Sequence, residues 1–242
     1  APVAVVVVVL LTAMNLRGVR ESGKAFAIPT YLFMVTIIGM ALVGFVRQSL
    51  GRLPEAESAS LTLAPEEGYE ALGSLALAFL LLRAFSSGCA ALTGVEAISN
   101  GVPAFQKPKS RNAATTLLLM GAISITMLIS MVTLARMTNV HFAEDPAVQL
   151  LRDGVPVGED YVQDTVMGQV AKAVFDGFGP GVVLVSIVTG LILVLAANTA
   201  FNGFPVLGSI LARDGFLPRQ LHTRGDRLAY SNGILILAGA AC

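Results

Sequence analysis

The sequence predicts an all-α, polytopic membrane protein. Of its 242 residues, 55% are hydrophobic and only 13% are charged, and the mean hydropathy is +0.74. This composition is too apolar for a soluble domain of this length. The apolar residues form long runs between polar loops, as expected of helices that each cross a bilayer with about 20 residues. The predicted spans form a single transmembrane domain and cover residues 1–14, 28–46, 84–106, 113–135, 180–211 and 231–242.

The first two spans are simple to place. The apolar run 1–14 is followed by a basic loop at 15–27. The second span, 28–46, opens with Pro29, a residue that the first turn of a helix tolerates. The chain then becomes polar and acidic at 47–70.

The next apolar run, 71–105, is too long for one straight span. At 1.5 Å per residue it would measure about 50 Å, against a hydrocarbon core of about 30 Å. We expect Arg83 to lie at the outer interface, so that 71–82 forms an interfacial or re-entrant helix and 84–106 forms the span. The alternative makes 71–92 the span. We prefer the first placement because it keeps a lone arginine out of the hydrocarbon.

The candidate site is the polar segment 93–101, which reads TGVEAISNG. The preferred placement puts Thr93 and Glu96 near the middle of the membrane. An ionisable residue at that depth costs about 2.5–3.5 kcal/mol and is a functional hypothesis by default. The alternative is a structural carboxylate paired with a basic residue on another helix. Gly94, Gly101 and Pro103 just beyond predict a break in the helix, which is tolerated only inside protein or beside a wet cavity. Ser99 either lines the site or ends the helix.

The remaining spans differ in character. Residues 113–135 are an uninterrupted apolar run, and the last span begins at Ser231. The run 180–211 is again too long for one straight span and contains Asn198, Thr199, Asn202 and Pro205. We expect a kinked helix that projects past the bilayer.

Charge differs between alternate loops. Three loops hold ten basic and three acidic residues, and the other two hold five basic and twelve acidic residues. The positive-inside rule assigns the basic set to the cytoplasm and the acidic set to the outside. We therefore expect a multi-pass protein of the plasma (inner) membrane. The predicted cytoplasmic loops are 15–27, 106–112 and 212–229, and the predicted extracellular loops are 47–70 and 136–176.

Several classes of function are disfavoured. The 16 basic and 16 acidic residues balance, so the net charge indicates no nucleic-acid partner. The chain has no HExxH or GxSxG motif, which argues against an intramembrane enzyme. Cys89 and Cys242 form neither a disulfide framework nor a metal-binding spacing, and we expect no cofactor. We expect His141 and His222 to be solvated in loops on opposite sides.

Both ends of the sequence lie inside apolar runs, and the first residue is Ala1 rather than methionine. We interpret the chain as an internal fragment of a longer protein.

Two stretches resemble the amino acid-polyamine-organocation (APC) permease superfamily. The residues ALTGVEAISNGVPAFQKPKSRNAATTL resemble its sixth helix and the following loop, and AANTAFNGFPVLGSILARDGFLPRQL resembles its eighth helix and cytoplasmic loop. The resemblance covers essentially the whole chain, as helices four to nine. It implies a transporter with part of a LeuT-like inverted-repeat fold of five plus five helices, in which the helix at 84–106 is broken.

Within the superfamily the sequence is most similar to the KimA-type branch of proton-coupled potassium importers, because TGVEAISNG and NGFPVLGSILARDGFLPRQLHTRGDRLAYSNGI read like its versions. The resemblance implies that Thr93 offers its hydroxyl or carbonyl oxygen to a cation and that Glu96 is the proton-linked carboxylate. It places Asn198 and Thr199 on a helix that supplies part of an ion site, with interhelical hydrogen bonding as the alternative.

The resemblance leaves two substrate classes open. Amino-acid transporters of the superfamily commonly have an aromatic residue beside the glycine at the break, whereas Thr93 and Val95 flank Gly94 here. This favours a small inorganic cation, so proton-coupled potassium import is the first hypothesis and an amino-acid or polyamine permease the second. The expected partners are that substrate and the lipid bilayer. A homodimer stays open, because the sequence does not give the oligomeric state.

Overall fold

The computed structural model describes residues 2–17, 23–64, 73–89, 98, 102, 105–221 and 231–242. Most of these residues are helical. The helices are α1 (Pro2–Leu16), α2 (Gly23–Ser49), α3 (Gly73–Cys89), α4 (Lys109–Met137), α5 (Pro146–Gln149), α6 (Val166–Val174), α7 (Gly179–Arg213) and α8 (Ser231–Ala241). Two 3₁₀ turns, Glu57–Ser60 and Arg219–Leu221, and three short strands, β1 (Thr62–Leu63), β2 (Leu150–Arg152) and β3 (Val155–Pro156), complete the described elements.

Within the described ranges, three helices are long and apolar enough to cross a membrane: Phe26–Ser49, Lys109–Met137 and Gly179–Arg213. The helices Val3–Leu16, Leu77–Cys89 and Ser231–Ala241 are apolar but shorter. Each of these six helices coincides with or overlaps one of the runs from which the spans are predicted.

Two helices differ from the predicted boundaries. α2 begins at Gly23, so Pro29 lies inside the helix instead of at its first turn. A proline there removes one helical hydrogen bond, and the Thr30 hydroxyl donates to the Phe26 carbonyl oxygen at 2.8 Å in the same turn. α3 runs through Arg83 without a break, whereas the sequence analysis divides the chain at that residue.

The chain divides into two compact units, one comprising Ala1–Thr36 and Val183–Cys242, the other Ile37–Val182. In the first unit, Leu11 of α1, Phe201 of α7 and Ile234 of α8 form a buried apolar cluster. Gly233 lies against Pro205, where an added Cβ would stand 2.9 Å from the proline Cβ. The cluster thus joins the three helices through apolar packing and a close approach of backbone.

In the second unit the two acidic loops fold together. We call the described parts of these loops, residues 47–64 and 136–176, the acidic module. β1 from the first loop pairs with β2 from the second, and β2 pairs with β3, in an antiparallel sheet of order β1-β2-β3. Leu61, Ala143 and Leu150 are buried beneath it. The two loops therefore lie at the same end of the unit.

A buried polar contact joins the same two loops. Ser58 Oγ donates to Gln169 Oε1 at 2.5 Å, and both side chains are almost fully buried. The His141 amide donates to Ser58 Oγ at 2.9 Å, and His141 Nδ1 lies 3.1 Å from the Ser58 carbonyl oxygen. Because a carbonyl oxygen only accepts, Nδ1 carries the proton. His141 is half-buried and bonded to Ser58, so it is less solvated than expected; His222 lies outside the described residues.

The membrane helices of this unit approach each other at Gly44 of α2. A Cβ added there would lie 2.6 Å from Leu134 Cδ2 and 3.1 Å from Val174 Cγ2, and both of those side chains are fully buried. Absence of a side chain lets α2 pack closely against α4 and α6.

We predict that Gly44→Ala destabilises the protein by about 1–3 kcal/mol, because the added methyl overpacks the contact with Leu134. The measurement is the apparent melting temperature of the full-length protein in detergent. Gly39→Ala is the matched control, since a Cβ at Gly39 of the same helix meets nothing within 4 Å among the described residues. Equal melting temperatures for the two variants would contradict the packing assignment.

Candidate functional site

The predicted site residues fall into two groups. Thr93, Gly94, Glu96 and Ser99 lie outside the described residues, between α3 and α4. Asn198 and Thr199 are described and belong to α7. The surroundings of the first group are therefore defined by the elements that precede and follow it.

α3 is connected to the acidic module by an ion pair. Arg83 Nη2 donates to the two carboxylate oxygens of Glu144 at 3.0 and 3.2 Å. Both side chains are about half exposed or more, so screening by water limits the strength of the pair. This pairing with a carboxylate of a predicted outer loop is the observed arrangement of Arg83.

The ion pair shows which end of the unit Arg83 of α3 lies at. Glu144 follows the end of α4 at Met137, so Arg83 lies at the end of the unit where the acidic module is found. α4 begins at Lys109, inside the basic loop 106–112. Glu96 comes between Arg83 and that loop, at a similar sequence distance from each. In the sequence, the candidate segment therefore lies between Arg83, which contacts the acidic module, and the basic loop 106–112.

The charge inventory singles out the same residue. Every charged residue other than Arg83 and Glu96 belongs to one of the five polar loops. Arg83 is paired with Glu144. Glu96 is thus the only carboxylate of the sequence that lies inside an apolar run.

The acidic module is held by cations of its own. Lys172 of α6 pairs with Asp164 and, at 3.3 Å, with Glu57 of the other loop. The hydrogen bond that Lys172 donates to Asp164 raises the pKa of Lys172 above its usual value, with a smaller contribution from Glu57. Burial, together with the charges of Glu57 and Asp164, raises the pKa of Tyr161. The surroundings therefore favour the protonated forms of Lys172 and Tyr161.

Arg47 closes the end of α2 onto the same module. Its Nη1 donates to the carbonyl oxygens of Val174 at 2.7 Å and Asp176 at 3.2 Å. These carbonyls lie at and just beyond the end of α6, where helical acceptors lack internal donors. A positive charge at a helix C-terminus is also favourable. Arg47 thus fixes α6 to the end of a membrane helix.

Asn198 forms an interhelical hydrogen bond in the first unit. Its Oδ1 accepts from Asn15 Nδ2 at 2.8 Å, and its side chain is 7% exposed. The same Asn15 nitrogen donates to the Leu11 carbonyl oxygen of α1 at 2.9 Å. One carbonyl oxygen of α7 is therefore directed at the end of α1. Asn198 thus forms the interhelical hydrogen bond that the sequence analysis gives as the alternative to a role in the ion site.

Thr199 differs from its neighbour. Its hydroxyl donates to the Ala196 carbonyl oxygen of the same helix at 2.6 Å, and the residue is exposed. A threonine in a membrane helix commonly satisfies its hydroxyl in this way. Among the described residues, therefore, Asn198 and not Thr199 forms a side-chain hydrogen bond to another helix.

The sequence predicts neither Asn15 as the partner of Asn198 nor Glu144 as the partner of Arg83. Asn15 was assigned to the loop 15–27, but α1 extends to Leu16. The signal was an asparagine at the end of an apolar run, where a polar group seeks a partner on another helix. No local pattern connects Arg83 to Glu144.

Among the described residues, no group of three or more His, Cys, Asp or Glu side chains is placed to hold a metal ion.

The comparison with known proteins identifies the family. A model of the amino acid permease family matches residues 2–242. The chain belongs to this family. It is also similar to a potassium transporter, KimA, of Bacillus subtilis (strain 168), with 40% identity over 240 residues. The match covers 99% of this chain but 35% of that relative, so the chain spans about a third of the relative's length.

Membership of the family confirms the predicted APC superfamily and the class of fold. The chain is part of a polytopic, helical membrane protein with the LeuT-like architecture. The long apolar helices α2, α4 and α7 agree with this assignment. The protein therefore crosses the bilayer several times, and its apolar helix surfaces are lipid- or helix-facing.

We predict that Asn198→Ala and Asn15→Ala each destabilise the protein by about 0.5–2 kcal/mol, because each leaves a polar partner unsatisfied. The double variant should cost little more than either single variant. Reversible unfolding in mixed micelles measures the coupling. Thr199→Ala is the control and should leave stability nearly unchanged. Additive effects of Asn15→Ala and Asn198→Ala would show that the two side chains do not act as a pair.

The raised pKa of Lys172 predicts a dependence on alkaline pH. A group whose pKa is raised in the folded state stabilises fully below its unfolded pKa, and the contribution disappears as pH rises through the folded value. Melting temperatures of the full-length protein should therefore fall above about pH 10.5. In Lys172→Met this part of the fall should be missing, and Arg52→Met, which removes an exposed cation of the same module, should behave as the parent. A parental pH profile in Lys172→Met would contradict the assignment.

Proposed function

We propose that the protein to which this chain belongs imports potassium ions across the plasma membrane together with protons. The observation that carries the proposal is 40% identity to a potassium transporter over 99% of this chain. The alignment includes the candidate segment between α3 and α4. Membership of a transporter family makes the activity transport, and the relative suggests the cargo.

The residues of the candidate segment suit this cargo. Thr93 contributes a hydroxyl and a carbonyl oxygen, and Glu96 contributes a carboxylate. A break in the helix at Gly94 would free further carbonyl oxygens for a cation, as half-helices do in transporters of this kind. Proton and cation compete for the negative charge of the same carboxylate, which would couple their movements.

We assign the two described site residues to different roles. Asn198 accepts a hydrogen bond from Asn15, so we propose that it positions α7 against α1. Thr199 is exposed on α7 and bonds its own backbone. Neither is assigned a direct ligand role, and the ion site is proposed to lie at 93–101 together with segments of the longer protein.

We propose that the acidic module faces the outside and that the basic loops face the cytoplasm. The loop charges support this orientation, and the pairing of β1 with β2 supports a common side for the two acidic loops. Twelve acidic residues against five basic ones would then surround the outer approach. Such a field raises the local concentration of cations.

An amino-acid or polyamine substrate is the second candidate, because the matching family is described as amino acid permease. Residues Thr93 and Val95 beside Gly94 speak for the small cation, since an aromatic neighbour would cover a larger substrate.

The test is growth and potassium uptake of a potassium-import-deficient host that expresses the full-length protein. We predict that Glu96→Gln lowers uptake at least roughly tenfold, because a charged contact to an ion is worth about 1.5–3 kcal/mol. Glu159→Gln, which removes an exposed carboxylate of the acidic module, should leave uptake unchanged.

Three results separate the alternatives. Rescue by Glu96→Gln equal to that of the parent would exclude the proposed role of this carboxylate. Potassium uptake by the parent protein that does not depend on the proton gradient would exclude proton coupling. Transport of a labelled amino acid in place of potassium would favour the second candidate.

A further inference from the structure

An open groove lies where α4 leaves the apolar region and meets the acidic module. Its volume is about 710 Å³. One side is formed by the apolar side chains of Leu128, Met131 and Val132 of α4, and the other end by Arg136, His141 and Met167. All of these residues belong to one unit of the fold. The groove therefore changes from apolar to polar along the axis of α4.

This change coincides with the boundary of the apolar run. Between Arg111 and Arg136 the sequence contains no charged residue, and that stretch of helix measures about 36 Å at 1.5 Å per residue. Arg136 is thus at the level where the hydrocarbon ends, and Leu128 lies about 12 Å deeper along the helix. A membrane lipid changes from phosphate to acyl chain over the same boundary.

The charge of the groove is opposite to that of its surroundings. The acidic loops hold twelve acidic residues, yet the described lining includes no aspartate or glutamate and one arginine. Glu55, which is not part of the described lining, accepts from Asn139 Nδ2 at 2.9 Å. The lining thus suits an anionic group.

Arg136 also differs from other cations of the unit. Arg47 donates to two carbonyl oxygens, Arg83 pairs with Glu144, and Lys172 pairs with Asp164. The Arg136 side chain is exposed and, within the described ranges, makes no hydrogen bond or ion pair. Its guanidinium carries five donors in a planar fork that matches the oxygens of a phosphate.

The apolar side of the groove is uncovered in the described part of the chain. Leu128 is 61% exposed and Val132 is 52% exposed. In a bilayer these side chains contact hydrocarbon, whether from lipid or from another helix. The arginine at the end of the groove distinguishes the two, because an apolar helix offers it no anion.

We propose that this groove is a binding site for a glycerophospholipid of the leaflet next to the acidic module. The phosphate binds the Arg136 guanidinium, and one acyl chain lies along Leu128 and Val132. Bound lipid would fill the space between the end of α4 and the start of α6 and so support the attachment of the acidic module. The site is independent of the transported substrate.

The experiment uses the purified full-length protein and a phosphatidylglycerol with a photoreactive diazirine in its acyl chain. After illumination, labelled peptides are mapped by mass spectrometry. The expected result is labelling within residues 128–140. Arg136→Gln should lower it roughly tenfold, since a charge-assisted hydrogen bond is worth about 1.5–3 kcal/mol. Arg152→Gln removes an equally exposed arginine of β2 outside the groove and should retain it.

A second variant tests the apolar half without changing charge. Ala135→Phe places a ring in the groove and should lower labelling while Arg136 is retained. Equal labelling in the parent, Arg136→Gln and Arg152→Gln would overturn the proposal, because it would mean unspecific contact with lipid. Absence of label from 128–140 in the parent would also overturn it and would indicate that another segment of the longer chain covers the groove.

Discussion

Hydrocarbon offers no hydrogen-bond partners, and this constraint explains how the chain distributes its polar groups. Charged residues other than Arg83 and Glu96 lie outside the apolar runs of the sequence, in polar loops or near helix ends. Some polar side chains within helices find partners on another helix, as Asn15 and Asn198 do in each other. A residue that breaks this rule must be balanced by protein, water or an ion. Glu96 attracts attention as a functional residue for that physical reason.

The acidic module solves a related problem at the membrane surface. Its two loops leave different helices, α2 and α4, but neither is long enough to bury a core alone. Together they bury Leu61 and Leu150 under a small sheet, and Ser58 and Gln169 satisfy each other inside. Lys172 pairs with carboxylates of both loops, and Arg47 binds the carbonyl oxygens at the end of α6. The ends of the membrane helices are thereby held together by contacts outside the membrane.

Arg83 shows how far a local rule extends. A lone arginine is costly in hydrocarbon, and the sequence analysis therefore ended one helix and began another at this residue. α3 instead continues through Arg83, and Glu144 of the acidic module supplies a counter-ion. The predicted division of the helix at Arg83 is therefore not observed, while its position at the outer interface stays a prediction. The free-energy cost of placing an arginine in such a helix depends on its counter-ion, and Glu144 comes from a distant part of the chain.

The sequence by itself predicted the class of protein, its apolar helices and the separation of basic from acidic loops, and it singled out the candidate segment 93–101, which stays a prediction. All of these follow from hydropathy and charge, which are local along the chain. Tertiary structure alone decided that the acidic loops form one module, that Arg83 pairs with Glu144, that Asn198 meets Asn15, and that Gly44 must lack a side chain. These contacts join residues that are distant in sequence. Packing geometry selects the partners, and local hydropathy and charge do not specify them.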